Sequence, residues 1–104
     1  MKKARREAGR AKLEQLLATN PLTEGMYVRT WGDHLIIGRH ESFGPDGDPE
    51  ADDRVRLTAL NENSYGLSVR RHTGRWEKTP FTGTVDELVD VIWSLMQHIV
   101  AQYT

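Results

Sequence analysis

An α+β domain is predicted for this sequence: an N-terminal helix, a five-stranded antiparallel meander and a C-terminal helix, with the helices packed on one sheet face. Three observations carry the prediction. A helix-forming start breaks at Asn20-Pro21, and five strand-like runs separated by turn residues fill the middle of the chain. A capping box at Thr84 then opens a long apolar helical stripe. The 104 residues suffice for one hydrophobic core, so residues 1–104 are expected to form a single domain.

Lys2 to Thr19 is rich in Ala, Lys, Arg, Glu and Leu, all good helix formers. Leu13, Leu16 and Leu17 share one face of that helix, whereas residues 1–12 are basic and carry no apolar stripe. The helix is therefore expected to be anchored by its second half and to fray in its first. Met26–Trp31 alternates in strand fashion, and Gly32-Asp33 is a two-residue turn into His34–Arg39. Ser42–Asp53 contains Gly44-Pro45, Asp46-Gly47 and Asp48-Pro49 and is predicted as a mobile acidic loop. Arg54–Leu60 and Tyr65–Arg71 flank a polar turn, and Thr73-Gly74 leads into Arg75–Thr79, an edge strand closed by Pro80.

In the last segment Thr84 and Glu87 are spaced to satisfy each other's free backbone N–H. The helix is predicted to run to about Gln102. Its apolar positions, from Val85 to Tyr103, fill an arc of roughly 200°, wider than a sheet alone would bury. The N-terminal helix, through its leucines, is the expected second partner. A homodimer interface is the alternative, through Val91 and Leu95 on one flank or Trp93 and Val100 on the other.

Strand parity assigns the faces. Pairing Val55 with Val69, Leu57 with Leu67 and Ala59 with Tyr65 collects the apolar residues of both strands on the core side. That register leaves Arg54, Arg56, Thr58, Ser68 and Arg70 on the other side. In the first hairpin Met26, Val28, Leu35 and Ile37 form the apolar side, opposite Tyr27, Arg29, Trp31, His34 and Ile36. With helices on only one face, the other carries Tyr27, Arg29, Trp31, His34, Arg54, Arg56 and Arg70. Rings among arginines suit single-stranded nucleic acid, in which bases stack and phosphates pair with guanidinium groups. They equally suit a protein interface, or a solvated sheet.

The formal net charge of −1 conceals a distribution. Residues 1–20 sum to +4, from Lys2, Lys3, Arg5, Arg6, Arg10 and Lys12 against Glu7 and Glu14. Residues 21–60 sum to −4, with five carboxylates between Asp46 and Asp53, and the remainder sums to −1. The basic start is a further candidate contact for phosphates, through Lys2, Lys3, Arg5 and Arg6. The near-neutral total excludes a histone-like polycation, and the absence of cysteine excludes a disulfide-stapled miniprotein. No apolar run approaches the ~18 residues of a membrane span, and the basic start lacks the apolar stretch of a secretory signal. A cytoplasmic location is expected.

Catalytic and metal constellations fail on geometry. Asp46, Asp48, Glu50 and Asp52 alternate like a calcium loop, but Ala51 and Leu57 stand where an EF-hand needs glycine and glutamate. His34 and His40 share strand parity yet lie about 20 Å apart, too far for one ion. Asp90, Ser94 and His98 line one helix face with serine in the middle, whereas a triad needs histidine between its partners. There is no phosphate-binding loop, dinucleotide fingerprint or nucleophile elbow. No cofactor or metal is expected, and an enzyme is not.

The expected function is that of a small non-catalytic binding module. It would contact a macromolecule through the aromatic- and arginine-bearing sheet face and the basic helix, with a protein partner or homodimer favoured. Single-stranded nucleic acid is the alternative. A further alternative is a small-ligand protein or enzyme with a pocket between the sheet and the C-terminal helix, using His98 or His34.

Overall fold

In the computed structural model, which describes residues 2–42 and 47–101, the helix-forming start becomes α1, Lys3–Leu17. Five strands follow: β1 (Tyr27–Trp31), β2 (His34–Ser42), β3 (Pro49–Ala59), β4 (Tyr65–Arg70) and β5 (Trp76–Gly83). Each pairs antiparallel with the next, giving a sheet in the order β1-β2-β3-β4-β5. The chain closes with α2 (Val85–Leu95) and the single turn α3 (Gln97–Val100).

The apolar parity of the strands sets the register. Val55 faces Val69, Leu57 faces Leu67 and Ala59 faces Tyr65, as expected, because any one-residue slip would turn these side chains to the wrong side. Val28, Leu35, Ile37, Val55, Leu57 and Leu67 bury against Leu13 and Leu17 of α1 and against Val85, Leu88, Val89 and Ile92 of α2. Each such side chain contributes about 1.5–3 kcal/mol on leaving water. At Gly9 an added Cβ would stand 3.0 Å from the Tyr65 hydroxyl and 3.1 Å from Leu35, so glycine lets α1 lie close to the sheet. The capping box is present in full, with Glu87 N–H donating to Thr84 Oγ1 and Thr84 N–H to Glu87 Oε1. The wide apolar arc of the C-terminal helix has its second partner in α1: the helices pack together, and Lys12 Nζ lies 2.7 Å from Asp86 Oδ2.

Four expectations are corrected. First, Pro49–Asp53 is strand and not loop: His40 pairs with Ala51 and Ser42 with Pro49, extending β2 and β3 as a two-stranded arm. Residues 43–46 of the expected loop lie outside the described residues. Second, Pro80 sits inside β5 and does not close it. At an edge its missing N–H breaks no ladder, and the register shifts here between Gly66 and Ser68. Third, the C-terminal helix breaks at Met96 (φ −119°, ψ 28°), which lets Val100 turn into the core; Gln102 and Tyr103 lie outside the described residues.

The fourth correction concerns Arg54. Ile37 faces Val55, but Gly38 faces Asp53, so Arg54 is the extra residue of a β-bulge. Its side chain therefore joins Val55 on the helix side, where it is 3% exposed. There Nη1 donates to the carbonyls of Ile99 and Ala101 at 2.9 Å, while the guanidinium pairs with Glu41 (3.1 Å) and Asp52 (2.5 Å). Arg39 beside it donates to Val100 O at 2.6 Å, Leu22 O at 2.6 Å and Glu24 O at 3.2 Å. Two buried guanidinium groups thus cap the C-terminal carbonyls of α3, where a positive charge is favoured.

Candidate functional site

The helices cover one face of the sheet, and the candidate site is the other. Tyr27, Arg29 and Trp31 reach it from β1, His34 and Ile36 from β2, and Arg56 and Thr58 from β3, by alternation about the core residues between them. Arg70 reaches it from β4 and Trp76 and Lys78 from β5. Of the residues expected on this sheet face, Arg54 alone is turned to the opposite side of the sheet.

At the bulged end, Gly38 makes room for a polar triad. An added Cβ there would fall 2.3 Å from both the Asp52 carbonyl and the Tyr27 hydroxyl, so only glycine lets the Tyr27 ring cross the strand. The Tyr27 hydroxyl donates to Asp53 Oδ1, and Arg29 grips the same carboxylate with Nε at 3.1 Å and Nη2 at 2.5 Å. Burial would push the Asp53 carboxyl up, but the bonds from Arg29 and Tyr27 outweigh it and hold the group below its ordinary range. Burial, followed by the bond to Asp53, pushes the Tyr27 phenol above its usual value. Tyr27 and Arg29 are therefore held by an internal partner.

The centre of the face is an open concavity of about 520 Å³. Trp31 and Trp76 line it, with Arg29, His34, Ile36, Arg56 and Thr58. Trp31 is 69% exposed. The Arg56 guanidinium lies 4.8 Å from the centre of the Trp76 ring, and its Nε is buried without a hydrogen-bond partner. His34 Nδ1 lies 2.8 Å from Thr58 Oγ1. Burial, then the nearby Arg56 charge, lowers the imidazole pKa, and Asp33 opposes them. A second hollow of about 400 Å³ adjoins the first, sharing His34, Arg56 and Thr58 and continuing to Leu60, Gly66, Ser68 and Lys78.

Arg70 lies beside the concavity in a cleft of about 310 Å³ with Asp52, Asp53, Arg71 and His72. None of Arg56, Arg70 and Lys78 makes an ion pair among the described residues. Among the described residues, two carboxylates reach this face: Asp53, which Arg29 grips and Arg70 also faces, and Asp33, which lines the concavity beside His34.

The basic helix is divided between structure and solvent. Arg5 lies 4.9 Å over the Tyr65 ring and donates to Ser64 O at 3.4 Å, and Arg6 donates to Gly32 O at 3.4 Å. These contacts tie α1 to the two turns at the Trp31 end of the sheet. Lys2 and Lys3, a turn earlier, are exposed.

Trp76 and Lys78 were missing from the expected face. The hairpin turn at Thr73-Gly74 is legible, and continuing strand alternation through it would have set Trp76 opposite Arg70. The other proposed surfaces fare differently. Val100 is fully buried and Trp93 donates to Thr23 Oγ1 at 3.1 Å, which removes that flank as a dimer surface. Leu95 on the other flank is 58% exposed. The space between sheet and α2 is filled by Leu57, Leu67, Leu88 and Ile92, each almost fully buried, and His98 is exposed outside it.

Among the described residues no group of His, Asp and Glu side chains is arranged to hold a metal, and no helix is long and apolar enough to cross a membrane. No protein-family model matches the chain, and no curated protein and no solved structure does so either.

Proposed function

We propose that this protein is a small binding module whose open sheet face docks an acidic macromolecular partner. The observation that carries the proposal is the set of unpaired cations, Arg56, Arg70 and Lys78, standing with two tryptophans on one face of a chain with formal net charge −1. Ser68 stands between Arg56 and Lys78, and Arg70 faces Trp76, so the three cations share the face without opposing one another directly. An ordinary protein interface has an apolar, charge-depleted centre. The exposed large apolar groups lining these hollows are Trp31 and Leu60 alone, which favours recognition by charge and ring stacking. A protein partner, the sequence's first choice, would have to present an acidic segment here.

Retention on a polyanionic column at low salt tests the proposal. The protein should be retained despite its net charge, and Arg70→Glu with Lys78→Glu should abolish retention. Reversal of Lys2 and Lys3 should leave most of it. Retention unchanged by the sheet-face pair, or lost only with the helix pair, would overturn the assignment.

A further inference from the structure

Resting on the acidic-partner reading above, we infer that the open face is a platform for single-stranded nucleic acid. The strand would lie across the β-strands, with phosphates over one row of side chains and bases over the next.

Strand register sets the two rows. One runs Arg29, Ile36, Arg56, Ser68, Lys78 from β1 to β5, neighbour paired with neighbour. The other runs Trp31, His34, Thr58, Gly66, Thr82. The rows are two residues apart on β1 to β4, about 7 Å, and four apart on β5, where the register shifts; each crosses about 19 Å of sheet. The first row places basic side chains on strands one, three and five; Arg29 is paired with Asp53, so its unpaired charges are Arg56 and Lys78, about 10 Å apart across the sheet.

The second row has the chemistry of a base reader. Trp31 presents an unobstructed ring, and His34 is held in orientation by Thr58. Threonine hydroxyls complete the row, and the Leu60 side chain lies over Gly66. Any base can stack on an exposed ring, and its edges can bond to imidazole, hydroxyl and backbone groups. The carboxylates of an acidic peptide can bond to the polar groups of this row but bring no planar ring to stack on Trp31. A duplex keeps its base faces stacked inside and cannot present them. A single strand, by contrast, uses both rows at once: phosphates lie over Arg56 and Lys78, which have no carboxylate partner, while the exposed Trp31 ring receives a base.

Fluorescence anisotropy at low salt with labelled oligo-dT, a duplex of equal length and polyglutamate tests the inference. The proteins are the wild type, Trp31→Ala and Lys78→Ala; both replaced side chains are exposed, and circular dichroism checks that each variant is folded. The single strand should bind at least tenfold more tightly than either competitor. Trp31→Ala should weaken it about tenfold, the scale of one lost stacking contact. Lys78→Ala should lower the slope of log K against log salt by about 0.7, one phosphate contact. Polyglutamate binding as well as oligo-dT, with neither moved by Trp31→Ala, would overturn the nucleic-acid inference and leave the acidic-partner reading standing. Duplex binding as tight as the single strand would also overturn it. Failure of all three polyanions to bind would remove both.

Discussion

At the residue scale, Asp53 does two opposing things. It anchors Tyr27 and Arg29, and it subtracts one charge from a face otherwise positive. Asp53→Asn should cost about 1–2 kcal/mol, since one buried carboxylate and its bonds are lost while the half-exposed Arg29 partly recovers in water. The pH dependence has a definite sign. Because the folded carboxyl is held below its ordinary value, its stabilisation is fully present above about pH 4. It is lost as pH falls through the depressed folded value. Urea midpoints from pH 2 to 7 should therefore converge for wild type and Asp53→Asn at the acid end; a gap that persists there would refute the account. The same substitution should tighten binding of a polyanion, as Arg29 is released to the cationic row.

At the element scale, the bulge on β3 and the break at Met96 form one device. The bulge sends Arg54 to the helix side, and the break points the carbonyls of α3 at it. Arg54→Met should cost about 3 kcal/mol, because it leaves the buried Glu41 unpaired and frees the end of α3. Arg70→Met, on an exposed side chain, should stay within about 0.5 kcal/mol. Denaturant unfolding of the two variants checks the contrast, and equal losses would sink it. This device also shows where the sequence stops being legible. Alternation placed Val55, Leu57, Arg56 and Thr58 correctly, because each strand there keeps strict parity. It failed one residue earlier, at Arg54, because a bulge resets parity and depends on a close approach by Tyr27 that no local pattern displays. Gly38 inside a strand of β-branched residues was the available signal. The capping box was legible because its two partners lie three residues apart. The helix break was not, since the arginines that reward it lie over forty positions away.

At the scale of the whole molecule, the one-sided layering divides the chemistry. Apolar side chains from seven elements meet on one face, and on the other face Arg56, Arg70 and Lys78 stand outside the ion pairs that help to hold the fold. That division is why the near-neutral total says little about binding: the basic row and the acidic arm of β2 and β3 meet only where Asp53 joins Arg29 and Arg70.

The meander order has a kinetic consequence. Every strand pairs with its neighbour in the chain, so the whole sheet can zip through short hairpin closures with low contact order. The long loop closure is the one that brings α1 onto α2 across most of the sequence, and its entropy cost is met only once both surfaces exist. The transition state should therefore contain the central hairpin and lack the docked first helix. Leu13→Ala should act mainly on the unfolding arm of a chevron plot, and Leu57→Ala mainly on the folding arm. If the two variants divided their effects alike, docking and zipping would be one event. On the expected division, α1 is the last part to arrive and the first to leave, so the molecule opens from its helical seam while the sheet stays joined.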